Sequence, residues 1–419
     1  MASRGRTLLG IAFTHWLTTA GVVLTTTSAF VFIGLAFQTF SNPYSGLIVF
    51  VFIPALFVIG LLMIPAGLYL KAKKTGSLRS AIPEVEWSSP RTICMASLIS
   101  MLTIANIAIV SAASYEGMHY MDSNQFCGTV CHSVMTPQYV RYQESGHARV
   151  ACVNCHIGSG AASFVRYKLA GARQLAEITL NRYNRPIPPA MTALRPAKET
   201  CEQCHSPNKD KGDLLRVIRR YDEDEQSTEK FSVLLMHVGG KIHKAHVGRK
   251  TPIEYVPADA SRQVIPWVST DGKEYVGEGT AAGEKREMDC MDCHNRPAHD
   301  FQLPAQAVDR AIAGGRLDRS RPFAKRNAVL ALTGKAPLEN ASEAVRLIYS
   351  QNVFPQMAIT WGSYPNNLGH TQFPGCFRCH DDNHKNKSGE TIGQDCASCH
   401  ELLAVDEKEP EILKQLGTR

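Results

Sequence analysis

The 419-residue sequence has no long basic run and no repeat of basic with aromatic residues, so its net charge of +7 does not point to nucleic acid. Beyond one short motif it has no internal repeat, which sets a solenoid aside. Charge is missing from three long stretches, at about residues 17–38, 47–70 and 92–113. Cysteine is nearly absent outside a single pattern. Of 13 cysteines only Cys94 is left over, in an apolar segment where it is expected to pack as a small hydrophobe. No Cys-x-x-Cys-Lys motif occurs.

What is present is a set of six Cys-Cys-His units: Cys127-Gly-Thr-Val-Cys131-His132, Cys152-Val-Asn-Cys155-His156, Cys201-Glu-Gln-Cys204-His205, Cys290-Met-Asp-Cys293-His294, Cys376-Phe-Arg-Cys379-His380 and Cys396-Ala-Ser-Cys399-His400. Zinc sites and disulfides also use paired cysteines, but neither requires a histidine directly after each second cysteine. A covalent c-type haem does: two thiols add to the porphyrin vinyls and the imidazole takes the iron. Six units predict six haems. The first unit is unusual in having three residues between its cysteines.

Each uncharged stretch is long enough to cross a bilayer as a helix. Arg4 and Arg6 before the first would suit a cleaved export signal, but the apolar region is long, no clear Ala-x-Ala site closes it and a second span follows at once. The sequence therefore predicts three retained transmembrane helices. Lys71, Lys73, Lys74, Arg79 and Arg91 lie between the second and third, whereas 41–46 carries no charge. The positive-inside rule then places the N-terminus in the cytoplasm and everything after the third helix on the periplasmic face of a bacterial inner membrane. Haem is attached on that side.

The expected organisation is a membrane region at 1–115, a three-haem module at 116–206 and a three-haem extension at 207–419. The fold class is mainly α with much coil. Apolar spacing predicts a helix over 164–177, lying on the membrane surface or packed on a haem, and further helices at 305–317, 323–332 and 341–352. Val264-Ile-Pro-Trp-Val268 and Tyr275-Val, joined through Asp271-Gly272, predict a minor β hairpin. The acidic run 222–225 reads as a solvated turn.

With these motifs the chain resembles the NapC/NirT family of membrane-anchored multihaem cytochromes c, in an extended hexahaem branch. The resemblance runs through Phe126 to Pro137, Ser145-Gly-His147, the second motif and Lys168, and continues from Arg195 through Cys293-His-Asn-Arg-Pro-Ala-His299 and His370 to His380. It implies electron transfer of the quinol dehydrogenase type, from membrane menaquinol or ubiquinol to periplasmic cytochromes or reductases. Either His132 or Met135 would then ligate the first haem. Lys168 would lie at the quinol, where the family's neighbouring aspartate is Gln174 and Glu177 stands three residues on.

Nine histidines lie outside the motifs. Six are expected as distal iron ligands: His147, His243, His246, His299, His370 and His384. His15 belongs to the first membrane helix, while His119 and His237 are weaker candidates, although His119 is near enough to the first motif to compete for its haem. Six distal ligands for six haems argue against an open catalytic haem, as a nitrite, hydroxylamine or sulfur-oxyanion reductase would need. An alternative is a wire subunit whose quinol site belongs to another chain of a respiratory complex; the two extra N-terminal helices would suit subunit contacts.

Overall fold

The computed structural model describes residues 4–5, 15–36, 48–77, 81, 85–86, 90–130, 134–157, 161–189, 196–206 and 212–417, without some side chains inside helices. The chain forms two compact units, Met1–Val130 and Cys131–Arg419.

The first unit holds helices α1 (Trp16–Ala36), α2 (Ile53–Thr75) and α3 (Pro90–Met121). In α1, hydroxyls that would otherwise lack partners in an apolar surround bond back to the preceding turn: Thr25 and Thr26 donate to the carbonyls of Gly21 and Val22 at 2.8 Å, and Ser28 to that of Leu24 at 2.7 Å. Small residues let α1 and α2 approach closely. A Cβ added to Gly60 would fall on Thr25 Oγ1 and 2.8 Å from the Thr25 nitrogen, and one on Gly67 would meet Thr18 in the same way. Large apolar side chains such as Phe30, Leu56 and Leu62 point outward, while exposed Trp16 and Tyr69 mark one end of the pair beside Lys71, Lys73 and Lys74.

Among the described residues two helices, α1 and α2, are long and apolar enough to cross a membrane, not the three expected. The third expected span, 92–113, forms the body of α3, but this helix continues through Tyr115, Glu116 and His119, and several of its side chains lie outside the described residues. Cys94 is exposed on α3 rather than packed.

The second unit begins with α4 (Thr136–Gln143) and α5 (Ala161–Thr179), the latter matching the expected amphipathic helix. Strand β1 (Leu214–Tyr221) pairs antiparallel with β2 (Glu229–Met236), and the acidic run forms the exposed turn between them. A second sheet holds β3 (Glu254–Val256), β4 (Trp267–Thr270), β5 (Lys273–Val276) and β6 (Arg286–Glu287) in the order β5-β4-β3-β6. Its β4–β5 hairpin turns at Asp271 and Gly272, both at positive φ (51° and 75°), as an Asp-Gly type I′ turn requires. Helices α6 (Pro304–Ala313), α7 (Ala324–Leu332) and α8 (Glu343–Asn352) bury Val308, Ala311, Leu332, Val345 and Ile348 together. The last strand, β7 (His400–Glu407), follows the sixth motif and adds to β2. Sheet is thus more extensive than the single hairpin expected: β1, β2 and β7 are eight residues each, but their exposure is mixed and they lack the alternation that announces a strand.

Candidate haem sites

Five of the six motifs lie wholly within the described residues, and local geometry gathers each one. Residues at i, i+3 and i+4 of a helical turn share a face. Cys152–His156 and Cys290–Cys293 are such turns, and the amides of His205, His294 and His380 close theirs on the carbonyls of Cys201, Cys290 and Cys376 at 2.8, 2.8 and 3.1 Å. The cysteines of the motifs from Cys201 onward form no disulfide, as thioether attachment requires.

The histidines meet in twos. Ring centres stand 5.9 Å apart for His147 and His205, 6.2 Å for His156 and His299, 6.3 Å for His243 and His294, 5.8 Å for His246 and His380, and 6.3 Å for His370 and His400. Every pair joins one motif histidine to one distal histidine. Two metal–imidazole bonds of roughly 2.0–2.1 Å, with each ring centre about 1.1 Å beyond its nitrogen, predict about 6.3 Å across a single iron. The pairs are therefore spaced for one iron each. Among the described residues no three or more His, Cys, Asp or Glu side chains converge as a bare ion would need.

The second nitrogen of several rings is already assigned. Nδ1 of His147 lies 3.1 Å from the Pro297 carbonyl, that of His299 3.0 Å from Gln138, that of His246 2.8 Å from Ile242 and that of His380 2.9 Å from Gly393. A carbonyl only accepts, so Nδ1 carries the proton and Nε2 keeps its lone pair for a metal. Burial reinforces the neutral form. It lowers His156, His246, His294 and His400 from the ordinary imidazole value and brings His299 down to about 4. A cleft of about 320 Å³ bordered by Cys290 and His246 is flanked by Lys198, Arg249 and Lys250, cations suited to propionate groups.

Successive motifs are neighbours. After burial and Cys152, Cys204 contributes to raising Cys155; Cys201 and Cys290 act on each other; burial pushes Cys293 up to about 11 with Cys376 adding to it; Cys379, pushed up to about 12 by burial, feels Cys293; and Cys376 acts on Cys399. The second to sixth motifs are thus strung in chain order.

Residues between the cysteines tie the fourth and fifth motifs together. Asp292 and Arg378 are both buried. Asp292 Oδ1 accepts from the Tyr255 hydroxyl and, at 3.3 Å, from Arg262. Arg378 donates to the carbonyls of Asp292 (2.5 Å), Arg262 (2.9 Å) and Gly375 (2.8 Å). Gly375 has φ of 49°, and a Cβ there would strike the Gly369 carbonyl, so only glycine fits.

Not every expected residue falls into place. Cys131 and His132 lie outside the described residues, and Met135 immediately precedes α4. His384 is placed apart from the ring pairs. It is 2 % exposed, with Nδ1 2.8 Å from Asp381 Oδ1 and Nε2 2.6 Å from the Ile265 carbonyl, so both nitrogens are engaged and the side chain is a buried tie. His237 is also buried, 2.9 Å from Asp213, and acts on His400. Lys168 lies on α5 with its side chain outside the described residues, and Glu177 is paired with Arg173 at 2.8 Å. His119 sits on α3 with Nε2 3.1 Å from the Tyr115 hydroxyl. The ring pairings themselves were not legible in the sequence, because partners such as His156 and His299 come from distant segments.

Comparison with known proteins agrees with this arrangement. Residues 89–187 match the model of the NapC/NirT cytochrome c family, N-terminal region. The cytochrome c-type protein ImcH of Geobacter sulfurreducens is 35% identical over 420 residues, which cover 86% of this chain and 82% of that protein. The cytochrome c nitrite reductase subunit NrfH of Nitratidesulfovibrio vulgaris is 33% identical over 104 residues, 24% of this chain and 64% of the relative. The cytochrome c-type protein NrfH of Wolinella succinogenes is 26% identical over 113 residues, 26% and 63% of the two chains. No solved structure gave a significant match.

Proposed function

The chain belongs to the NapC/NirT family of membrane-anchored multihaem cytochromes c, proteins of electron transfer, and on that premise we propose that it carries six haems c and passes electrons from membrane quinol to periplasmic redox partners. The observation that carries the haem assignment is the set of five ring pairs at 5.8–6.3 Å. His156 with His299, His205 with His147, His294 with His243, His380 with His246, and His400 with His370 would hold the irons, and the cysteines of each motif would form the thioethers. His384 is left out of this set. The first motif takes Cys127, Cys131 and either His132 or Met135.

When bound, each haem supplies reversible one-electron chemistry. The protein's part would be to offer each of five irons two neutral imidazoles, which would leave no place for substrate there, and to keep successive motifs close together. That supports a conduit over a reductase. The two long apolar helices, α1 and α2, favour anchoring in the bacterial inner membrane, with the haem region on the periplasmic side. Lys168 on α5 is retained as a group hydrogen-bonding the quinol. Glu177 is less suited to receive a proton, since it is already paired with Arg173.

Purified full-length protein should contain six haems, and at least the five with paired histidines should be low-spin. It should oxidise a reduced short-chain naphthoquinol without another subunit. Failure of that last step, with all haems reducible by dithionite, would favour the wire whose quinol site lies in another chain.

A further inference from the structure

The sixth motif ends the string of neighbouring motifs, and residues 393–398, which lead to its histidine, are exposed throughout. That histidine opens β7, which the order β1-β2-β7 places at a sheet edge. Part of the strand is already covered, since Ala404 is buried against Val233 and Leu413. Its larger side chains are not: Leu402 is 59% exposed and Val405 54%. Register carries the apolar surface across the sheet, setting Leu402 opposite Leu234, and His400 opposite Met236, which in turn faces exposed Leu214. Charge then selects what such a surface fits. Between Asp395 and Glu411 stand six carboxylates against one lysine, in a chain whose net charge is +7. Asp406 is engaged by Ser232, and Lys414 pairs with Glu409 and Glu411, whereas Glu401 and Glu407 are exposed near the two ends of β7 without an ion pair among the described residues. Lys230 is held above the ordinary ammonium value by Asp222, with Asp406 and Asp224 adding to it, so the acidic turn between β1 and β2 extends this margin.

We propose that the open surface of β7, from the sixth motif to Glu407, is the docking site of a small, lysine-rich c-type cytochrome that collects electrons there. The inference rests on the conduit reading above and names where electrons leave and the kind of partner that takes them. Leu402 and Val405 offer apolar contact, and Glu401, Glu407 and the turn at 222–225 face the partner's ammonium groups. Such an arrangement favours fast, salt-sensitive encounter over tight binding, as a carrier that must leave after each transfer requires. The step it serves passes one electron to the partner's ferric iron, with no bond or proton changed. A second copy of this chain fits the edge poorly. Antiparallel pairing of two β7 strands about their middle would set Glu401 against Asp406 or Glu407, and like charges directly opposite destabilise a sheet.

The test uses full-length haem-loaded protein in lipid nanodiscs, with mitochondrial cytochrome c as the lysine-rich probe. Wild type is compared with the double variant Glu401→Lys/Glu407→Lys and with Glu278→Lys/Glu284→Lys, which makes the same charge change at exposed positions on the other sheet. Association and dissociation rates are read by surface plasmon resonance over a range of salt, and reoxidation of the dithionite-reduced chain by the ferric probe is read by stopped flow after excess reductant is removed. Glu401→Lys/Glu407→Lys should slow association by about tenfold or more at low salt. The difference should fade toward 1 M salt, where the screening length is about 3 Å. Glu278→Lys/Glu284→Lys should behave as wild type, and haem content and spectra should be the same in all three. Val405→Ser, which removes apolar area alone, should speed dissociation and keep the wild-type salt dependence. Wild-type association and reoxidation in Glu401→Lys/Glu407→Lys would overturn docking at β7 while the conduit reading stands. A wild-type dimer that excludes the probe would overturn it in favour of a second copy. Wild type that binds the probe yet keeps its haems reduced would remove the conduit reading, and the proposal with it.

Discussion

Replacing His246 by alanine tests the ligand assignment at its most specific point. His243 and His246 stand three residues apart, so they share one side of a short helical turn, yet they face different motif histidines, His294 and His380. Removing the His246 ring should therefore open one iron in six and leave the haem served by His243 closed. About one-sixth of the total haem should change from low-spin to high-spin, and reduced protein should bind about one carbon monoxide per chain more than wild type, an increment set by the pairing. His384→Gln supplies the contrast. Both ring nitrogens of His384 are hydrogen-bonded in the core, so its loss should leave the spin state of every haem as in wild type and lower stability by about 1–3 kcal/mol through buried groups left without partners. Electron paramagnetic resonance of the ferric protein and carbon monoxide titration of the ferrous protein count the open irons. An increment of two carbon monoxide molecules in His246→Ala, no increment, or a newly opened iron in His384→Gln would refute the pairing.

Other consequences follow from packing and charge. Gly60→Leu should separate α1 from α2, since even a Cβ meets the Thr25 backbone at 2.8 Å; the expected loss exceeds about 1–3 kcal/mol and is read as a lower detergent-melting temperature, and an unchanged value would contradict the close approach. Gly375→Ala should cost about 1–2 kcal/mol or more, from its positive φ and the clash with Gly369, and should reduce haem incorporation at the fifth motif, counted by intact mass.

The histidines whose rings meet in pairs were all singled out in the sequence, because the Cys-Cys-His pattern is local and the histidines outside it are few. What local pattern could not convey was which partners meet. His156 waits for His299, and His246 for His380, each brought in by the folded chain. His384 illustrates the opposite limit: its flank resembles a ligand segment, but Asp381, adjacent to the fifth motif, captures its Nδ1 and buries it. Strands β1 and β7 escaped notice for a related reason. Their side chains are mostly exposed, and β7 starts at the very histidine that ends the sixth motif, so its residues read as the tail of a haem site. The helical segments 305–317, 323–332 and 341–352 were predicted to within a few residues, since their apolar stripes pack on one another rather than on a cofactor.

That contrast explains how the second unit is held together. Its apolar clusters are separate and small: one joins α6, α7 and α8, one surrounds Phe301 and Tyr364, one lies under β3 and β4, and one lies under β2 and β7. Cys379 of the fifth motif packs against the cluster under β3 and β4. Further ties come from the Nδ1 hydrogen bonds to carbonyls that fix ring orientation, and from the buried Asp292–Arg262–Arg378 tie that locks the fourth motif to the fifth. A hydrophobic haem inserted between each pair would bury the surfaces these clusters leave uncovered and crosslink remote segments through iron. Arg378→Met should consequently do more than remove hydrogen bonds: by freeing the carbonyls of Asp292 and Arg262 it loosens the spacing of two neighbouring haems, so the reduction potentials of the fourth and fifth haems should shift together in a redox titration while the others stay in place. A shift confined to one haem would show that the tie supports a single site and not the row.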